Sequence, residues 1–325
     1  MFMDPMDFKS RKSFPARRAA CGALGALVVL CVGLGSGSIA HAATAPTTTS
    51  QRDSITAAIQ KDRDDTEKWL KEAPTSYLAA VRRIDFDGRP ALTVGRAAGN
   101  DVRVEDSTLT AHHLRVTVVG DSFQVRALDP DAKFLVGQTA TREATVPASS
   151  IGLGRFVLRL SHQRFPALIL FDPASPHFRD YHGLSYFPIN LSYRYTVRLT
   201  PNPKADTTVI LSTRGNKRRA VRAGWFEFVM DGRKMRLQAT RLLEPGVGEK
   251  DYSIFFRDAT SGKETYGMGR YVDVEPMSDG SFVLDFKKAY NPACAISNYY
   301  NCPIPPKEST LPVAVRAGER DSHYH

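Results

Sequence analysis

FEFVMDGRKMRLQAT, residues 226–240, is two short apolar runs around Asp231-Gly232. An Asp-Gly pair between such runs is a strong local signal for a β-hairpin, because both turn residues tolerate the left-handed backbone that a tight turn needs. Phe226–Met230 and Met235–Thr240 are therefore expected to be antiparallel strands. The same grammar spreads in both directions. Turn chemistry recurs at Asp87-Gly88, Gly120-Asp121, Asp129-Pro130, Ser261-Gly262 and Asp279-Gly280. Between these turns, strands are expected at Val116–Val119, Phe123–Ala127, Phe156–Leu160, Ala167–Phe171, Val209–Ser212, Ser253–Phe256 and Phe282–Phe286. No second long helical period accompanies them, which argues against βαβ units and for antiparallel sheets packed as sandwiches. The expected fold is mainly β: an N-terminal helix, then two antiparallel β-sandwich-like modules.

Upstream of the strands the chain changes character. Lys9, Arg11, Lys12, Arg17 and Arg18 form a basic start, an uncharged apolar stretch runs from Ala19 to about Ile39, and Ala40-His41-Ala42 precedes Ala43. This is the pattern of a secretory signal peptide over residues 1–42. Gly22, Gly25, Gly33, Gly35 and Gly37 dilute the stretch below the roughly 20 strongly apolar residues of a membrane span. A periplasmic or secreted protein is expected, with no membrane span after cleavage. Residues 43–52 read as a linker and 53–74 as a helix. Ile55, Ala58, Ile59, Thr66, Trp69 and Leu70 stand at helical spacing, and Pro74 ends the run.

The charge of the full chain is +10, and loss of the leader, with its five basic and two acidic residues, lowers it by three, to +7. That balance favours solubility and weak contact with anionic surfaces and does not imply nucleic acid. The densest basic run is Arg214, Lys217, Arg218, Arg219 and Arg222, which reads as a charged hairpin or strand edge. Cys294 and Cys302 are the cysteines that remain after the leader. In an oxidising compartment their default state is a disulfide. A zinc site or a nucleophilic cysteine stays open as an alternative, although no further ligand or base lies near in sequence.

Two resemblances follow from the motifs. Over residues 75–165, Gly95-Arg96, Asn100-Asp101-Val102-Arg103-Val104 and Thr110-Ala111-His112-His113-Leu114 precede a late Ser150-Ile151-Gly152-Leu153-Gly154. This arrangement resembles a forkhead-associated (FHA) domain. The resemblance implies a β-sandwich, with Arg96 and Thr110 at the positions that bind phosphothreonine in that family. Thr110 stands where the family has serine, and the stretch around Phe134 to Gln138 lacks the family's Asn-Gly. His113 is expected to brace the loops. His112 and His113 point to opposite faces of a strand and cannot share one metal.

Over residues 166–319, three blocks stand out. They are His182-Gly183-Leu184-Ser185-Tyr186-Phe187-Pro188-Ile189, Glu264-Thr265-Tyr266-Gly267-Met268-Gly269-Arg270-Tyr271, and the run from Asp285 through Tyr290-Asn291-Pro292 and Cys294 to Cys302-Pro303-Ile304-Pro305-Pro306, closing on Ala317-Gly318-Glu319. Together they resemble the domain-of-unknown-function family DUF1684, whose members are bacterial and often exported, and the likeness is expected to run from the Trp69 helix to Glu319. Lys287 and Ala293 depart from that family's usual Asn and Pro. The family carries no established activity.

The C-terminal block is the candidate site. Tyr266, Arg270, Tyr290 and Asn291 are candidate ligand-binding residues, and Asp285 with Glu319 is a candidate acid–base pair. The alternative is that Arg270 and the carboxylates form a salt-bridged clasp over the C-terminus. His177 and His182 are read as solvent or capping residues, and 320–325 as a frayed tail. No Gly-x-Ser-x-Gly elbow, phosphate loop or His-Glu-x-x-His occurs. The expected function is an exported binding or structural protein without catalysis, taking an unknown small-molecule, cell-wall or protein ligand, with no cofactor and no metal. An exported hydrolase and phosphopeptide binding are the alternatives.

Overall fold

The computed structural model describes residues 49–204 and 206–324. The leader and residues 43–48 of the linker lie outside the described residues. A helix spans Thr49–Glu72, so it starts four residues before the expected Asp53. Gln51 and Arg52 are good helix formers and extend it. The i,i+4 pairs Lys61–Asp65 at 2.6 Å and Lys71–Glu67 at 3.6 Å support it, and the Glu67 carboxylate also accepts from the Tyr181 hydroxyl and the Leu184 amide, both at 2.6 Å. Ile59 and Leu70 are buried. Trp69, in the last turn of the helix, meets Tyr77 beyond it edge to face at 4.9 Å.

The first module is a two-sheet sandwich. One sheet orders Ala80–Asp85, Pro166–Phe171, Phe156–His162, Ser149–Leu153, Phe134–Val136 and Thr139–Thr141; the other orders Val102–Arg103, Ala91–Gly95, Leu114–Val119, Ser122–Ala127 and Glu143–Pro147. Pairing is antiparallel except between Ala91–Gly95 and Val102–Arg103. Leu92, Val116, Phe123, Phe134, Leu158, Leu168 and Leu170 fill the space between the sheets.

The apolar run Ala167–Phe171 shows why the modules are fused. Leu168 and Leu170 face the sandwich interior, whereas Ile169 and Phe171 enter a second cluster with Leu70, Tyr77, Ile210, Phe255, Tyr271, Tyr300 and Cys302. Alternate side chains leave opposite faces of a strand, so a strand covered on both faces reads as continuously apolar. Each such buried Ile or Phe contributes roughly 1.5–3 kcal/mol. The helix, the first module and the second module therefore share one core.

In the second module, the expected hairpin forms at Lys217–Met230 and Arg233–Leu242, with Asp231 and Gly232 at φ 50° and 70°. The sheet runs Arg194–Val197, Phe282–Asp285, Arg270–Pro276, Ser253–Phe256, Arg233–Leu242, Lys217–Met230, Leu199–Pro201, with Thr207–Leu211 also paired to Lys217–Met230. Its two ends belong to one stretch of chain: Arg194–Val197 pairs with Phe282–Asp285, and Leu199–Pro201 pairs with the 224–226 segment. The curled sheet thus joins its own edges around Phe226, Phe228, Leu237, Ile254, Phe256, Val272 and Phe286. Edge closure removes unpaired strand backbone that would otherwise need solvent or a partner.

Candidate functional site

The C-terminal block converges on Arg270, in the strand Arg270–Pro276. Its side chain is 1% exposed and faces Asp258, 0% exposed, with Nη2 donating to Oδ2 at 2.8 Å. The other donations go to backbone carbonyls of the chain's last segment: Val315 at 2.8 Å, Ala317 at 2.6 Å and Glu319 at 3.0 Å. Burial lowers the guanidinium's affinity for its proton, and the Asp258 charge works against that. Asp258 is itself held, since its Oδ1 accepts the amide of Thr260 at 2.7 Å and the Thr260 hydroxyl at 2.5 Å.

Glycines permit this approach. Gly318 has φ 78°, and a Cβ there would lie 2.4 Å from the Ala289 carbonyl oxygen. Glu319 turns its carboxylate to the amide of Asn291 at 2.8 Å. The Asn291 side-chain amide donates to the Arg320 carbonyl at 2.8 Å, while its Oδ1 is buried without a partner. Tyr290 pairs through its backbone with Tyr271, and its hydroxyl donates to Asp273 at 3.5 Å.

Asp285 has different company. It caps the turn at Phe286–Lys288 by accepting the Lys287 amide at 3.1 Å, and its carboxylate meets Lys287 Nζ at 2.7 Å and Arg194 Nε at 3.6 Å. Burial lowers the Lys287 pKa against the pull of Asp285. Asp285 and Glu319 thus share no partner among these contacts. Arg270, Asn291 and Glu319 are brought together, largely through main-chain atoms, and Asp285 serves another anchor.

The expected disulfide is a correction. Cys294 and Cys302 are buried and are not joined by a disulfide. Each sulfur is occupied as a hydrogen-bond partner: Cys302 Sγ accepts the Cys294 amide at 3.4 Å, and the Tyr266 hydroxyl donates to Cys294 Sγ at 3.8 Å. Hydrogen bonding from Cys302, then from Tyr266 and Thr213, holds Cys294 below the usual thiol range despite its burial. Burial pushes Cys302 well up. Burial and the neighbouring Cys294 likewise raise the Tyr266 hydroxyl.

Sequence reasoning missed Asp258, the charge partner of Arg270. Its local signal was the Asp-Ala-Thr turn chemistry just before Ser261-Gly262. It also missed the buried pair of Arg218 with Glu244, at 2.5 and 2.6 Å, which takes Arg218 out of the basic run. Among the described residues of the tail, Ser322 and Tyr324 are docked, which corrects the expected fraying there. Tyr324 stacks on His182 at 4.4 Å and donates to the Gly183 carbonyl at 2.8 Å, while His182 Nε2 reaches the Ser322 carbonyl at 2.9 Å. Stacking and two backbone carbonyls give this short polar segment enough contact to order it.

In the first module, Arg96 is exposed and Thr110 half-buried at one end of the sandwich. The Thr110 amide donates to His113 Nδ1 at 3.2 Å, and His113 Nε2 reaches the Lys133 carbonyl at 3.0 Å. His113 thereby ties two loops together. His112 turns instead to Asn100 Oδ1 at 3.2 Å. Among the described residues, no group of three or more His, Cys, Asp or Glu side chains is placed to hold a metal ion, and no helix is long and apolar enough to cross a membrane.

Residues 179–320 match the family described as "Protein of unknown function (DUF1684)". The solution NMR structure of an uncharacterized protein from gene locus rrnAC0354 of Haloarcula marismortui is 35% identical, over 47% of this chain and 85% of that one, with a TM-score of 0.38. The chain belongs to the DUF1684 family. The blocks that carry the family likeness are the ones gathered around Arg270, so in this DUF1684 chain the family residues build the closure of the C-terminus. The chain is also similar to two FHA structures. One is the FhaA FHA domain complexed with the intracellular domain of Rv3910, at 16% identity over 27% of this chain and 96% of that one, TM-score 0.20. The other comes from a structural and functional analysis of phosphothreonine-dependent FHA domain interactions, at 17% identity over 28% and 95%, TM-score 0.20. No curated protein matches this DUF1684 chain.

Proposed function

We propose that this DUF1684 protein is an exported binding or structural protein whose family motif works as a clasp and performs no catalysis. One observation carries the reading. Both terminal nitrogens of the Arg270 guanidinium are engaged, Nη2 by Asp258 and Val315 and Nη1 by Ala317 and Glu319, at 2.6–3.0 Å in a buried site; Nε alone is left without a partner. A guanidinium kept for an anionic substrate would instead present its planar edge to a cleft. The carboxylates point the same way, since Asp285 neutralises Lys287 and Glu319 accepts a backbone amide. The export part of the reading rests on residues 1–42, and predicts a mature chain beginning at Ala43. The test is a panel of glycoside, ester and phosphoester substrates assayed on the parent, Asp285→Asn and Glu319→Gln proteins. The clasp reading expects no turnover that depends on either carboxylate. Turnover in the parent that disappears in both variants overturns it and installs the hydrolase.

A further inference from the structure

The hairpin formed by Thr207–Leu211 and the first half of Lys217–Met230 has two unlike faces. One, carrying Ile210, Arg218 and Ala220, is buried. The opposite face is open. There Val209 is 55% exposed and Leu211 51% exposed, although both are aliphatic. Strand register sets each against a cation: Val209 lies across from Arg219, and Leu211 across from Lys217. One strand further over, Arg241 stands opposite Val221. Thr207, Val209, Leu211, Lys217, Arg219, Val221 and Arg241 include no carboxylate, so the charge of this face is uncompensated within the paired strands. Two other cations of the run have left it: Arg218 pairs with Glu244, and Arg214 pairs with Asp85 at 3.0 Å.

We propose that this face docks on the surface of an anionic phospholipid bilayer. Its register alternates aliphatic and cationic side chains across the strands, which suits the interface of such a bilayer, where acyl chains and phosphates lie within a few ångströms of one another. A soluble polyanion satisfies the cations and leaves Val209 and Leu211 in water. Lysine and arginine could instead serve only to keep an edge strand from aggregating, and the two roles separate by experiment. The inference stands on residues apart from the clasp and does not need it.

The test installs an environment-sensitive fluorescent amino acid by codon suppression at position 209 of the full chain, with the same residue at position 119 as control. Val119 is 51% exposed in the first module, away from the hairpin in sequence and sheet. Vesicles of phosphatidylcholine mixed with phosphatidylglycerol should shift the emission at position 209 to the blue, and pure phosphatidylcholine should not. About 1 M salt, where the Debye length is roughly 3 Å, should abolish the shift. K217E/R219E should weaken the transition at least about 30-fold, from roughly fivefold per basic residue lost at such a surface. No shift at position 209, an equal shift at 119, or an equal shift with soluble polyphosphate each overturns the proposal.

Discussion

Asp258→Asn is the sharpest test of the clasp. The substitution keeps the volume and the Thr260 contacts but puts an amide N–H where Oδ2 now accepts from Arg270. A side chain 1% exposed would then hold an unpaired charge against a donor. Breaking one partner of a buried ion pair costs about 3–5 kcal/mol. Three carbonyl bonds from Arg270 to residues 315–319 remain available, which places the expected loss toward the lower half of that range. For a chain of this size the loss corresponds to a fall of about 6–15 °C in thermal midpoint, read by calorimetry. The damage should also be local. The amides of Glu319, Arg320 and Asp321, which donate to Ala289, Ser185 and Glu264, should exchange with solvent deuterium faster than in the parent. The first-module amides of Leu114–Val119 should lose less protection than these three. A midpoint within 2 °C of the parent, about 1 kcal/mol or less, with undiminished protection at 319–321, refutes the idea that Arg270 and Asp258 hold the C-terminus down.

Acid should unlatch the modules at Asp85. Burial opposes its charge, but hydrogen bonds and charge from Arg83 and Arg214 hold its carboxyl below the ordinary value. That stabilisation is present above the unfolded pKa of about 3.9 and is lost as pH falls through the lower folded value. Asp85→Asn should therefore lower stability at neutral pH and flatten the acid limb of the stability curve; an unchanged limb rules the latch out. Gly318→Ala should destabilise by more than about 1 kcal/mol, because φ 78° and the Ala289 carbonyl leave no room for a Cβ. A neutral result by thermal melting would contradict the close approach. Tyr266→Phe removes a hydroxyl that helps lower the Cys294 pKa, so iodoacetamide should alkylate Cys294 more slowly at pH 8. Equal or faster labelling counts against that hydrogen bond. Deleting residues 322–325 should cost about 1–2 kcal/mol through loss of the Tyr324–His182 stack and the Gly183 bond, visible in urea midpoints.

The strand runs were legible because each is a local statement. Phe226–Met230, Asp231-Gly232 and Met235–Thr240 announced a hairpin, and the observed strands extend those runs at one or both ends. The candidate block was legible as a place: Arg270, Asn291 and Glu319 do converge. What they converge on was not, because the charge partner of Arg270 is Asp258, which reaches it through the pairing of two strands. The cysteines show the same limit. Their spacing suggests a bond, yet sulfur geometry depends on where Thr213, Tyr266 and the loop backbone sit.

By itself the sequence determined the mainly β class, the N-terminal helix, the turn positions and the family, because turn preference, strand periodicity and motif spacing act over a few residues. Tertiary structure alone decided that the second sheet joins its own edges, that Arg218 goes inward to Glu244 while Arg219 faces water, and that the tail docks on His182. Those outcomes depend on which distant groups compete for each charge and each unpaired backbone atom, and that competition is settled only when the whole chain has packed.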